Sequence, residues 1–160
     1  MIVVFEGNHT YKAYHHPGTG VVDLVASVFD EEGIAAELGA GLSVGLGEDE
    51  EFQHLSLDLS GESGDMPVAE RPEDAPSAVT AEVELAEGET PRYRFDASAG
   101  TLRISFGDLE TSSWARVGRS LLWLAIDEES YLAAIVIEGV SKDPKGTAQA
   151  AWLEEMADQE

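Results

Sequence analysis

Four histidines, thirty-two carboxylates and no cysteine bound the chemistry open to this chain. His15-His16, next to Tyr14, is the histidine pair that invites a metal ion, with a carboxylate to complete the set. Adjacent residues of a strand point to opposite faces, so two neighbouring histidines rarely hold one ion. His9 and His54 stand apart, and no His-x-His or His-x3-His spacing exists. The better reading of His15-His16 is a surface turn, and neither a metal nor another cofactor is expected. A glycosidase needs two carboxylates across a cleft, one with a raised pKa; so many acids offer such pairs by chance. Glu48-Asp49-Glu50-Glu51 lacks the alternating acids and central glycine of a helix-loop-helix calcium site, and reads as a solvated turn. No Gly-x-Ser-x-Gly elbow, dinucleotide fingerprint or phosphate loop occurs; Gly118-Arg119-Ser120 is a turn. The sequence therefore predicts no catalytic residues and a protein that is not an enzyme.

The elements that would position these residues are mostly strands. Period-2 alternation runs through Ile2–Phe5, Tyr11–Tyr14, Val21–Phe29, Leu42–Leu46 and Phe52–Leu59, then through Val79–Leu85, Tyr93–Phe95, Leu102–Phe106, Ser112–Val117, Leu121–Ile126 and Tyr131–Ile137. In Val79–Leu85 the apolar Val79, Ala81, Val83 and Leu85 oppose Thr80, Glu82 and Glu84. Leu121–Ile126 is apolar on both faces, which predicts an interior strand. Asp143-Pro144-Lys145-Gly146-Thr147 opens a helix with Thr147 as cap, and Ala148, Ala151, Trp152 and Met156 fall near one face, so Trp152 is expected to pack on the sheet. The predicted class is mainly β, antiparallel meanders with a C-terminal helix.

The pattern repeats. Tyr11-Lys12, Gly18-Thr19, Val22 and Leu24 read against Tyr93-Arg94, Gly100-Thr101, Ile104 and Phe106, an offset of 82. Leu55, Leu57, Leu59 and Gly61 read against Ala133, Ile135, Ile137 and Gly139, an offset of 78, which makes the second copy about four residues shorter. Residues 1–61 form the first β-rich unit and residues 79–160 the second with its helix. Between them residues 62–78, with Gly64, Pro67, Pro72 and Pro76 among acids, read as an exposed linker or a long crossing loop.

Charge separates the copies. Residues 1–61 carry 11 acids against 1 base and residues 62–91 carry 9 against 1, whereas residues 92–139 carry 7 against 5. Such a field repels nucleic acid and anionic membranes and attracts a basic protein. Solubility or a salt-loving cytoplasm also favours acids, but a global bias would spread evenly. No apolar run reaches membrane-span length, and Met1–Glu6 has no basic n-region, which predicts a cytoplasmic protein.

Phe95-Asp96-Ala97-Ser98-Ala99-Gly100-Thr101-Leu102-Arg103-Ile104 and Ile126-Asp127-Glu128-Glu129-Ser130-Tyr131, followed by Leu132–Glu138, carry a family likeness. This stretch resembles a small bacterial β-meander family of unknown function, with Phe95 in place of its tyrosine and Gly100 in place of an acid. The resemblance implies hairpins and transfers no catalytic residue. In overall character the chain is similar to bacterial immunity proteins. The expectation is thus an acidic binding protein that neutralises a basic toxin. Glu31, Glu32, Glu48, Asp49, Glu50 and Glu51 are its predicted contact residues, with Trp114, on a half-polar strand, as the aromatic to find exposed. The alternatives are a nucleic-acid mimic, which needs acids spaced like phosphates along an elongated face, and a hydrolase or sugar-active enzyme, which needs a deep pocket with a buried acid or histidine.

Overall fold

A computed structural model describes residues 1–27, 33–39, 41–59, 70–85 and 90–157. Alternating apolar residues give the strands β1 (Ile2–Glu6), β2 (Tyr11–His16), β3 (Val21–Ala26), β4 (Ile34–Gly39), β5 (Leu42–Leu46) and β6 (Phe52–Asp58). They continue with β7 (Ser77–Ala78), β8 (Thr80–Glu84), β9 (Pro91–Asp96), β10 (Thr101–Phe106), β11 (Ser113–Val117), β12 (Leu122–Ile126), β13 (Leu132–Ile137) and β14 (Ser141–Lys142), and end in the helix α1 (Thr147–Ala157). One sheet runs β14-β2-β3-β6-β5-β4 and the other β7-β11-β12-β13-β10-β9, with β1 and β8 paired as a separate ribbon. The protein is mainly β, as the alternation predicts, and β12 lies inside its sheet.

Both sheets contain the same five strands in the same order: β2-β3-β6-β5-β4 matches β9-β10-β13-β12-β11. The register fixes the offset. Val22 pairs with Leu57 and Leu102 with Ile137; Leu42 pairs with Leu57 and Leu122 with Ile137. In these strands each residue maps onto its counterpart 80 positions on. Even the bulges coincide, at Gly45/Leu46 and at Ala125/Ile126. The expected offsets of 82 and 78 are therefore corrected to 80 for four of the five strand pairs and to 79 between β4 and β11, a shortening of one residue. The reason lies in the first hairpin: Gly20, at φ 72°, takes the left-handed position that Gly100 takes at φ 67°. Gly18 does not, so Gly20 and not Gly18 matches Gly100.

The ribbon joins the copies. Ile2 pairs with Glu84, Val3 with Val83 and Val4 with Glu82. Moving 80 residues along turns the first pair into the third, so the ribbon is self-complementary about Val3 and Val83. The core follows the same rule. Val22 and Leu102, Leu24 and Ile104, Val44 and Leu124, and Phe52 and Leu132 are all buried, within one apolar cluster that draws on both sheets and the ribbon. Phe5 stacks on Phe52 with ring centroids 4.7 Å apart. His15 meets its counterpart Phe95 edge-on, also at 4.7 Å.

Of the expected linker, residues 62–69 lie outside the described residues, but residues 70–78 are laid on the second sheet. Arg71 grips the Glu138 carboxylate through Nε and Nη2, stacks 4.1 Å from the Trp123 ring, and is followed by β7, which adds to β11 in parallel. Val79 is 70% exposed, against the alternation, because the chain is passing from β7 to β8 there. Thr147 does not cap α1. The buried Asp143 does, its carboxylate accepting from Ala148 N at 3.2 Å and Gln149 N at 3.1 Å.

Candidate binding surface

The acidic run between β5 and β6 is a tight turn. Gly47 N donates to Glu51 O at 2.8 Å, and Asp49 and Glu50 adopt φ of 57° and 63° inside a 3-10 turn at Glu48–Glu50. Asp49 and Glu50 are exposed; Glu51 is half-buried, its carboxylate held by His9 Nε2. Only the backbone of Glu48 is described, and Glu31 and Glu32 lie outside the described residues.

Eighty residues on, the turn recurs between β12 and β13. Asp127 N donates to Tyr131 O at 2.9 Å, Ser130 adopts φ 72°, and the Asp127 carboxylate accepts from Glu129 N and Tyr131 N. Glu128 and Glu129 are exposed, as Asp49 and Glu50 are.

Both turns end against the ribbon. Glu51 bridges to Val4 in parallel on one side, and Tyr131 bridges to Glu84 in parallel on the other. Val3, Phe5, Ala81 and Val83 turn inward. That leaves Ile2, Val4, Glu6, Thr80, Glu82 and Glu84 on the outer face. Thr80 Oγ1 donates to the Glu6 carboxylate at 3.1 Å. Four chain segments at about 4.8 Å spacing make a face about 15 Å across. No lysine or arginine occurs in β1, β8 or either turn. The side-chain charges of the face are therefore all negative, with Ile2 37% exposed among them.

Of the predicted contact residues the structure brings Asp49, Glu50 and Glu51 to this face. Trp114 is elsewhere. It is half-buried on β11 against Ala125, Ala133 and Ala134, so it covers a small apolar patch of the second sheet instead of standing free. Sequence reasoning missed Glu82, Glu84, Glu128 and Glu129. The signal was present: at an offset of 80, Glu48-Asp49 falls on Glu128-Glu129.

A second polar constellation lies on the outer face of the first sheet. His16 Nε2 sits 2.5 Å from Gln149 Oε1 and 3.2 Å from Asp23 Oδ2, and His16 Nδ1 sits 3.1 Å from Asp143 O. Both ring nitrogens face oxygen acceptors, which suits an imidazolium. Burial opposes that charge, but the bonds to Gln149 and Asp143 and the two carboxylates outweigh it and raise the His16 pKa. Burial likewise opposes the Asp23 carboxylate, while His54, Ser56 and Gln149 hold its pKa below the usual value. Lys12 Nζ lies 4.0 Å from the Trp152 ring. Together these contacts seat α1 on β2 and β3, with Trp152 as its inward aromatic. His15 is instead turned to Phe95, its pKa lowered by burial, by Lys142 and by His16. Among the described residues no group of three histidines or carboxylates is placed to hold a metal.

An open cleft of about 670 Å³ runs between the turn after β1 and the turn after β11, lined by Asn8, His9, Tyr11, Val79, Arg119 and Leu121 among others. Among the described residues no carboxylate lines it, and its histidine is engaged by Glu51. No helix of the described residues is long and apolar enough to cross a membrane. Neither the protein-family models nor the curated proteins compared with this chain match it.

Proposed function

We propose that this chain is an acidic, non-enzymatic binding protein of the immunity type, which neutralises a basic toxin by docking the ribbon face over its active site. One observation carries the reading. Two acidic turns, related by the internal repeat, are tied to opposite sides of one ribbon whose own outward glutamates fill the space between them. Charge of one sign on one face steers a cationic partner and rejects others. Ile2 and Val4 add apolar surface among these charges, as a docked interface needs. On this face the acids sit in two turns and on the ribbon instead of forming an even row, which favours a protein partner over mimicry of a phosphate backbone.

The test is capture from the host. The tagged chain is expected to recover a basic protein at low salt and release it as salt rises. Reversal of both turns (Asp49→Lys, Glu50→Lys, Glu128→Lys, Glu129→Lys) is expected to abolish recovery. Co-expression of the wild-type chain with the captured protein is expected to relieve the latter's toxicity. Recovery of no basic protein by the wild-type chain would overturn the reading.

A further inference from the structure

The internal repeat pairs β4 with β11, and the two stand at corresponding edges of their sheets. The registers fix the correspondence. Glu37 pairs with Ser43, and Arg116 pairs with Trp123, the counterpart of Ser43; Glu37 therefore matches Arg116, and the residues two positions on are Gly39 and Gly118. Gly39 and Gly118 share positive φ, 90° and 55°. At β11 the outward amides are used. Arg116 N donates to Pro76 O at 2.9 Å and Gly118 N to Ala78 O at 2.9 Å, and β7 lies there in parallel. At β4 the same positions carry nothing: among the described residues no strand and no backbone hydrogen bond adds to the outer side of Glu37 or Gly39. The second sheet is thus extended beyond β11 by β7, while no described residue adds to the equivalent edge of the first sheet at β4.

We infer that β4 accepts an extended cationic segment of the partner as an added parallel strand, in the manner of β7 on β11. The inference rests on the binding reading above and names how part of the partner is held. Backbone bonding gives the strand its grip, and charge chooses the occupant. No lysine or arginine occurs between Lys12 and Arg71. Glu37 is exposed on β4, and Asp30-Glu31-Glu32 precede the strand in sequence. Ile34 pairs with Leu46, which leads into the acidic Glu48–Glu50 turn. Ile34 itself is 64% exposed and offers an apolar contact at that end. A second copy is disfavoured as the occupant, since it would set Glu37 and its acidic neighbours against themselves.

The probe is an eight-residue peptide alternating lysine with valine, added at low salt to the full chain, with a glutamate–valine peptide as control. Residue-resolved amide exchange is expected to slow about tenfold or more at Ala35 and Glu37 with the lysine peptide, and to stay unchanged with the control. Ala35→Pro removes an outward N–H of the edge, by the alternation of the ladder, and is expected to lose the protection while the chain stays folded. Glu37→Lys, which keeps every backbone bond, is expected to weaken the peptide about threefold or more, and so serves if the proline variant misfolds. Unchanged exchange in β4 with the lysine peptide, or protection that grows with protein concentration alone, would overturn the inference. Capture of the host partner equally by wild type and Ala35→Pro would also overturn it while leaving the binding reading standing. Protection by the peptide without any captured host protein would support the edge and overturn the binding reading.

Discussion

Adding one methyl group at Gly118 is expected to pry the two copies apart. Gly118 follows β11 and crosses Gly7, which follows β1, so closely that a Cβ at Gly118 would lie 2.1 Å from Gly7 O and 2.8 Å from Gly7 Cα. Its φ of 55° is in the left-handed region, which costs an alanine about 1–2 kcal/mol by itself. Relief of the clash requires Gly7 to retreat by about 1 Å, a shift of the kind that costs overpacked sites about 1–3 kcal/mol. That retreat strains the bonds clamping the crossing, Gly7 N to Val79 O at 2.6 Å and Gly118 N to Ala78 O at 2.9 Å. Gly118→Ala is therefore expected to lose about 2–5 kcal/mol in all. Gly20→Ala is the control: it has positive φ but nothing within 4 Å of its Cβ, and should lose only about 1–2 kcal/mol. Gly18→Ala, with neither constraint, should be near neutral. Urea denaturation measures all three. Because each kcal/mol moves the midpoint of a chain this size by about 2–4 °C, the first two variants are also separable by calorimetry. A Gly118→Ala loss within about 0.5 kcal/mol of the Gly20→Ala loss, a spread ordinary for unconstrained surface changes, would refute the close crossing.

Other substitutions probe other joints. Phe5→Ala removes the ring stacked on Phe52 between the ribbon and the first sheet, and is expected to cost about 3–5 kcal/mol in urea denaturation. His16→Gln tests the seat of α1. Since the folded His16 pKa is raised, its contribution is full below about 6.5, the unfolded value, and is lost as pH rises through the folded value. Asp23, with a lowered pKa, contributes above its unfolded value and loses that contribution as pH falls through its folded value. The stability gap between wild type and His16→Gln should thus narrow from pH 6 to pH 9; a constant gap would refute the charged assignment. Arg71→Lys gives up the two-pronged hold on Glu138 and the stacking on Trp123. A loss of about 1 kcal/mol is expected, because the site is partly exposed, together with a shift in tryptophan emission.

The strands were legible because burial on one side imposes period 2, and β12 was legible as interior because Leu122, Trp123, Leu124 and Ala125 are apolar on both faces. The repeat was legible, but its offset was not, since Gly18 and Gly20 both fit a turn and only the backbone angle distinguishes them. β7 and β14 are two-residue strands added in parallel, too short to show any period. The His16, Asp23 and His54 constellation lies on three strands that pairing alone makes neighbours. Of the acidic face, the turn at Asp49 and Glu50 was readable as exposed charge, whereas Glu82 and Glu84 read merely as the wet side of a strand until β1 was found beside them.

The self-complementary register of Ile2, Val3 and Val4 with Glu84, Val83 and Glu82 has an implication for surface chemistry. Two separate eighty-residue chains pairing through that same register would form a dyad, and a dyad must wear every side chain twice. Joined end to end, the halves are released from that identity. Asp23 occupies the place that Arg103 holds in the other half, and Ser43 the place of Trp123. Fusion keeps the shared interior while letting one flank turn strongly anionic and the other gather guanidinium groups around an indole, a lopsidedness no homodimer of either half could attain.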